Sequence, residues 1–288
     1  MTDNPRIGKD VIESLTLGMY EDCRFIYREY IQNSADQVDK AVAEGLINAG
    51  EDEIHITINP EERCIVIEDN ATGISSDKVI PILRNIAHST KKRGEDKGFR
   101  GIGRLGGLGY CSKLIFDGEE VKSIMTWDAD LLKQIINDRD NSEEAVDVLA
   151  RVTDTVTKKE VADKHYFKVI LENVTSDELL NVERVKNYLS MVAPVDISSQ
   201  FIYRSQINKF IKDNGLKVDA YNIYINEEQI YKPYTTHIYK EIPGSKKAID
   251  DILGVDFLLS KDSDGNIIYW GWYSLSHLGG QMERINIA

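Results

Sequence analysis

Glu29, Asn33 and Asp36 stand four and then three residues apart in Tyr27-Arg28-Glu29-Tyr30-Ile31-Gln32-Asn33-Ser34-Ala35-Asp36-Gln37-Val38. On a helix turning about 100° per residue they share one narrow face with Lys40, while Tyr27, Ile31, Val38 and Val42 lie opposite. A solvated helix face scatters Lys and Glu in i,i+4 pairs. Here a carboxylate, a carboxamide and a second carboxylate line up with few neutralising partners; on this segment alone a bland exposed polar face and a face that carries chemistry stand equally open. A second candidate is Asp69. The β-branched run Cys64-Ile65-Val66-Ile67 leads straight into Glu68-Asp69-Asn70-Ala71-Thr72-Gly73-Ile74, which sets a carboxylate where a buried strand meets a turn of small residues. A third stretch, Ala87-His88-Ser89-Thr90-Lys91-Lys92-Arg93, precedes Gly94, Gly98, Gly101, Gly103, Gly106, Gly107 and Gly109, seven of the chain's 20 glycines. That density is costly unless backbone must move or approach something closely.

Gly101-Ile102-Gly103-Arg104-Leu105-Gly106 matches the dinucleotide fingerprint G-x-G-x-x-G literally. The fingerprint must follow a buried parallel strand, whereas Lys91-Lys92-Arg93-Gly94-Glu95-Asp96-Lys97 is a charged loop. A kinase glycine loop fails on the same ground, and the chain has no P-loop motif. What survives is a basic, glycine-rich, mobile loop, expected over about His88 to Gly109, whose amides and lysines can close over phosphates.

The elements that must position these groups follow from the periodicity. A long helix runs from about Glu21 to Leu46, with a stop near Asn48 and Gly50. Ile54–Ile58 and Cys64–Ile67 form a hairpin around Asn59-Pro60-Glu61-Glu62-Arg63. Ser75 or Ser76 caps a helix carrying Val79, Ile82, Leu83 and Ile86, bent by Pro81. Val121–Trp127, Arg151–Thr157 and Tyr166–Leu171 read as strands, with Leu131–Leu149 an inserted helical segment and Leu179–Val192 a further helix. Ala193-Pro194-Val195 marks an exit, and the expected boundary lies near residue 200. Residues 201–288 then hold a helix at Gln206–Lys212 and strands at Tyr221–Ile225, Asp256–Leu259 and Ile267–Tyr273. Asp262-Ser263-Asp264-Gly265 reads as a hairpin turn rather than a calcium loop, because Gly271 stands where a bidentate Glu belongs.

The chain has 288 residues, an apolar fraction of 42% and a net charge of −13, enough for two domains and unsuited on average to nucleic-acid phosphates or anionic membranes. Cys23, Cys64 and Cys111 have no CxxC spacing, and no zinc-spaced His/Cys cluster exists. With no signal-peptide apolar core and no run of eighteen apolar residues, the expectation is a cytoplasmic protein outside the membrane. Arg284-Ile285-Asn286-Ile287-Ala288 reads as a strand begun, so the sequence is expected to be a fragment.

Together the three stretches resemble the GHKL nucleotide-binding family of gyrases, 90-kDa heat-shock chaperones, histidine kinases and MutL proteins. Glu29-x-x-x-Asn33-x-x-Asp36 is similar to its first box, Asp69-Asn70-Ala71-Thr72-Gly73 to its second and Gly98-Phe99-Arg100-Gly101-Ile102-Gly103 to its third. Order and spacing agree, and the likeness covers roughly residues 10 to 175. Ala71 departs from the family, which often has glycine there. Ser89-Thr90-Lys91 resembles a lid motif of the MutL-like branch.

The resemblance implies an α/β fold, an α+β two-layer sandwich of the Bergerat type, over residues 1–200. The start of a second α/β, middle- or transducer-like domain follows over 201–288. It further implies that ATP and Mg²⁺ bind: Asn33 as metal ligand, Asp69 as acceptor of the adenine amino hydrogen with Thr72 or Gly73 nearby, and Asp36 in the same site. Lys91, with Ser89, Thr90, Gly98, Gly101, Ile102 and Gly103, would lie at the phosphates. Glu29 would be the general base for hydrolysis. Lys232 and Arg284 are the candidates for a basic contact to the γ-phosphate. Three functions are then open: a chaperone-like clamp that closes its lid, pairs as a homodimer and acts on a client protein; the same engine on DNA, as in MutL and MORC proteins, which the acidity disfavours; and a nucleotide sensor without turnover, against which Glu29 argues.

Overall fold

The computed structural model describes residues 7–16, 21–84, 86, 103–118, 121–159, 165–239 and 248–276. The helices are α1 (Asp10–Thr16), α2 (Phe25–Glu44), α3 (Ser76–Val79), α4 (Ala129–Asn137), α5 (Ala145–Val152), α6 (Val182–Val192) and α7 (Arg204–Asp213). The strands are β1 (Ile54–Asn59), β2 (Cys64–Asp69), β3 (Lys113–Gly118), β4 (Val121–Asp128), β5 (Thr153–Lys159), β6 (Phe167–Glu172), β7 (Ile223–Ile225), β8 (Glu228–Gln229), β9 (His237–Tyr239), β10 (Ala248–Asp251), β11 (Asp256–Lys261) and β12 (Ile267–Tyr273).

β1 to β8 make one mixed sheet in the order β5-β4-β3-β6-β2-β1-β7-β8. Neighbours are antiparallel except β1 and β7, which run parallel. Strict alternation puts Ile54, Ile56, Ile58, Ile65, Ile67, Leu114, Phe116, Met125, Trp127, Val169 and Leu171 on one buried face, covered by helices, which is the two-layer α/β arrangement. Asp69 lies on that same face, in register with Ile54 and Phe167, where the alternation calls for an apolar side chain.

α2 is helical because Ile26, Tyr27, Tyr30, Ile31, Ala35, Val38 and Ala41 recur at helical spacing and all become buried. It stops at Gly45, sooner than the sequence implies. Gly45 takes φ +73°, free of any Cβ penalty, and the Leu46 amide turns back onto the Ala41 carbonyl at 2.9 Å. After α3 the chain widens into a single π turn, Ile80–Arg84, that contains Pro81, whose missing N–H cannot serve the α-helical ladder. β3 is a strand the sequence reading leaves out: its apolar core is only Leu114-Ile115-Phe116, hard against the glycine-rich run.

By contacts, the described residues up to Leu189 together with Tyr221–Ile230 form one compact unit, and Ser190–Ala220 with the described residues from Tyr231 form a second. β7, read from the sequence as part of the second domain, joins the first unit's sheet. Its register is held by Tyr221 Oη donating to Asp39 Oδ1 at 2.7 Å, the Asn222 amide to Asp52 Oδ2 at 2.8 Å and the Ile58 amide to Asn226 Oδ1 at 2.7 Å. A parallel partner arriving after a long crossover has no local signature. In the second unit, Phe210 stacks on Phe257 at 4.1 Å, and Phe201, Tyr234 and Trp272 form an aromatic cluster in which Phe201 is buried and the others half-buried. β11 and β12 are antiparallel, and the Asp262 carboxylate closes their turn by accepting from the amides of Asp264 and Asn266 at 3.0 and 2.8 Å.

Lys9 fastens the N-terminal segment to this frame. Its buried Nζ donates to the carbonyls of Ile135 at 2.7 Å, Ile136 at 3.0 Å and Asp138, the last turn of α4, where helix carbonyls lack partners and a cation is favoured. Lys9→Met keeps the aliphatic stem and strands those carbonyls. It should lower stability by roughly 1.5–3 kcal/mol, the scale of a hydrogen bond to a charged group. Urea unfolding checks this, and an unchanged midpoint would remove Lys9 from the account.

Candidate functional site

α2 buries one side and turns Glu29, Asn33, Asp36 and Gln37, all half-buried, along the next stripe. At the seam between the two sits Ser34, buried at 6% exposure, whose Oγ donates to Asp69 Oδ2 at 2.6 Å. The Ala71 amide donates to Asp69 Oδ1 at 3.2 Å. Burial pushes the Asp69 carboxyl up to about 6; the bonds from Ser34 and Ala71 pull it partly back, and the nearby Glu68 charge adds to the rise. A carboxylate placed this way is still mostly ionised at neutral pH, at a cost, and gains from any further donor.

The turn after Asp69 is anchored rather than loose. Asn70 accepts from the Glu53 amide at 2.9 Å and donates to the Glu51 carbonyl at 2.9 Å. Ala71 is wholly buried, and Gly73 takes φ +67°, which a side chain would resist. Thr72 Oγ1 donates to Gln37 Oε1 at 2.8 Å, a second link from turn to helix beside the Ser34–Asp69 bond. Neither Ser34 nor Gln37 is singled out by the sequence reading. Their one signal is position, since Ser34 follows Asn33 and Gln37 follows Asp36 on the same helix.

Gly103–Gly109 folds as a 3₁₀ helix against α2, with Leu105 and Leu108 fully buried. This corrects the expectation of a mobile loop as far as Gly109. Two of its glycines are there for close approach: a methyl group on Gly103 would stand 2.0 Å from Glu29 Oε2, and one on Gly107 would stand 2.5 Å from Tyr30 Oη. The Tyr30 hydroxyl donates to the Arg104 carbonyl at 3.1 Å and accepts from the Gly107 amide at 3.1 Å, pinning the 3₁₀ helix to α2. Burial lowers the Arg104 guanidinium to about 10. Ser89, Thr90, Lys91, Gly98, Gly101, Ile102 and Arg284 lie outside the described residues. Lys232, in the second unit, donates to the carbonyls of Met191 and Ala193 at 3.2 and 3.0 Å, so its ammonium is engaged within that unit.

The described structure therefore gathers Glu29 with Gly103 towards one part of α2, and Asp69 and Thr72 against Ser34 and Gln37, about 7.5 and about 12 Å further along its axis, given the helical rise. Between them stands Asn33. Among the described residues no group of three or more His, Cys, Asp or Glu side chains could hold a metal ion. A divalent cation at Asn33 would draw most of its shell from water and from a bound ligand's oxygens, which is how Mg²⁺ is usually held.

The Asp69 carboxyl is raised on folding from 3.8 to about 6, so its favourable share in stability is fully present below pH 3.8 and is lost as pH climbs through 6. The cost of keeping it ionised at pH 7 is about 3 kcal/mol. Asp69→Asn removes the titration. Wild type should gain roughly 2–2.5 kcal/mol relative to the variant between pH 7 and pH 4. Urea unfolding of both proteins across that range measures it, and a pH-independent difference would return Asp69 to an ordinary carboxyl.

Residues 25–161 match the family model for the histidine kinase-, DNA gyrase B- and HSP90-like ATPases. Among relatives, the chain is 34% identical over 87 residues to the chaperone protein HtpG of Chlorobium phaeovibrioides, covering 28% of this chain and 14% of that protein. It is 30% identical over 128 residues to HtpG of Photorhabdus laumondii, covering 40% of this chain and 20% of the relative. It is 29% identical over 119 residues to HtpG of Myxococcus xanthus, covering 36% and 18%. The matched stretch thus spans at most about a fifth of each of these relatives. The ordered motifs of α2 and the β2 turn, the helix-backed mixed sheet and these matches agree: over residues 25–161 the chain matches the GHKL ATPase family and is similar to that family's HtpG chaperones.

Proposed function

We propose that this domain binds ATP with Mg²⁺ and hydrolyses it to drive a chaperone-like clamp that closes a lid and pairs two chains. The observation that carries the reading is the buried Asp69 carboxylate, raised to about 6 and held by Ser34 on the same helix that presents Glu29 and Asn33. A buried acceptor of that kind is worth its cost when it reads a donor, and adenine's exocyclic amine is such a donor. The relatives named as chaperones support the clamp, and the net charge of −13 speaks against a DNA substrate.

In this mechanism Asp69 fixes the base, with Thr72 and Gly73 forming the turn beside it. Asn33 offers its carboxamide oxygen to Mg²⁺, which neutralises phosphate oxygens when bound, and Asp36 adds negative charge on the same stripe. Glu29 orients the attacking water and takes its proton as the water oxygen bonds to the γ-phosphorus and the bond to ADP breaks. Gly103 matters by lacking a side chain, because any other residue would displace the Glu29 carboxylate. The lid is assigned to Ser89, Thr90, Lys91 and the stretch from Gly98 to Ile102, whose amides and ammonium would close on the phosphates. Free Cys23, Cys64 and Cys111 accord with a reducing cytoplasm, and among the described residues no helix is long and apolar enough to cross a membrane.

Base and metal ligand should separate on mutation. Asn33→Ala should lose Mg²⁺-dependent ATP affinity and turnover together. Glu29→Ala should keep ATP bound while hydrolysis falls by roughly 10²–10⁴-fold, the range for a removed general base. Equilibrium binding with single-turnover hydrolysis decides it: wild-type turnover in Glu29→Ala would exclude that residue as the base. Protonation of Asp69 removes the acceptor, so ATP affinity should also weaken as pH is lowered through about 6. Affinity that holds constant from pH 7.5 to 5 would separate Asp69 from nucleotide recognition.

A further inference from the structure

Asp69 reads only half of an adenine edge. The exocyclic amine it would accept from is flanked by ring nitrogens, which are acceptors and need a donor of their own. Such a donor stands beside it. Gln37 lies three residues after Ser34 on α2, one turn along and roughly 5 Å away, so its side chain shares the face that Ser34 offers to Asp69. Thr72, three residues after Asp69, donates its hydroxyl hydrogen to Gln37 Oε1 at 2.8 Å. That bond uses the amide oxygen and leaves the amide nitrogen for another acceptor; the Thr72 hydroxyl also lies 3.3 Å from the Gly73 carbonyl. The two Nε2 hydrogens are taken up by no other group among the described residues, and the side chain is only half-buried.

We propose that Gln37 is a specificity-determining residue: its carboxamide N–H, oriented by Thr72, donates to a ring nitrogen beside the amine that Asp69 accepts. This rests on the reading of the site as an ATP site. An acceptor next to a donor matches adenine, whose edge presents amine and ring nitrogen side by side. Guanine presents an oxygen in place of the amine and is mismatched there on either side; on the N1 side it also presents an N–H in place of the ring acceptor and is mismatched at both. The pair thus rejects GTP through polar groups left unpaired, the kind of discrimination that a shape fit alone does not reach.

The test compares binding of ATP, 1-deaza-ATP, 7-deaza-ATP and GTP to the full chain, to Gln37→Leu and to Thr72→Val. The deaza analogues keep the amine and each lose one ring acceptor. Wild type should bind one of the two about tenfold more weakly than ATP, the loss of about one hydrogen bond. Gln37→Leu should bind ATP about tenfold more weakly and treat that analogue and ATP alike. Thr72→Val should shrink the discrimination by releasing the amide. Wild type binding ATP and both analogues equally would overturn the role of Gln37 while leaving the ATP site intact, as would discrimination retained in Gln37→Leu. Failure of wild type to bind any of the four nucleotides would overturn the ATP reading and this proposal together.

Discussion

A carboxylate buried on the apolar face of a sheet is the constraint on which the rest of this domain depends. Asp69 occupies a position that Ile54 and Phe167 flank in register, and among the described residues Ser34 and the Ala71 amide compensate its lost hydration. Two bonds to a carboxylate stabilise it, yet burial still wins, and the carboxyl remains above its ordinary range. The fold tolerates this because the surrounding core is large: Ile56, Ile67, Leu171, Leu114 and Trp127 continue the same face across five strands.

The same helix that supplies Ser34 sets every other distance in the site. α2 is held on one side by the sheet and on the other by the 3₁₀ helix Gly103–Gly109, with Tyr27 Oη donating to the Leu179 carbonyl at 2.7 Å and Tyr30 clasping Arg104 and Gly107. Those tyrosines let polar tips reach backbone while their rings stay in the core. Glu29 is thereby pressed against Gly103 with no room for a methyl group. Placement of this acid is a matter of packing as much as of chemistry, and the glycine is the cost of bringing it there.

The first unit closes through a strand that arrives late. β7 pairs with β1 only after the chain has left for α7 and returned, and Asn226 caps the junction by exchanging bonds with the backbone of Ile58. The hairpin β1–β2, which carries Asp69 at its far end, is in this way braced on both edges, by β6 and by β7. The Asp69 end of the site therefore rests on contacts made far along the chain.

Local physics made much of this legible from residues alone. The spacing of Glu29, Asn33 and Asp36 on an amphipathic run requires a helix with a polar stripe, and Ile54–Ile58 with Cys64–Ile67 requires a hairpin ending at Asp69, because periods of 3.6 and 2 are written in adjacent residues. What needed the tertiary structure is whatever depends on partners distant in sequence. Ser34 and Asp69 are 35 residues apart, as are Gln37 and Thr72, and nothing near Ser34 says that its hydroxyl faces a carboxylate rather than water. Gly103 looks like one more glycine of a flexible loop until Glu29 is found against it, and Leu105 and Leu108 look like loop residues until α2 covers them. The sheet that claims β7 was likewise decided by non-local pairing, since a three-residue Ile-Tyr-Ile strand carries the same pattern wherever it docks. Sequence determined which side chains could do chemistry and on which elements they stand; tertiary packing decided which of them meet, because a contact is a property of two positions in space and a pattern is a property of neighbours in the chain.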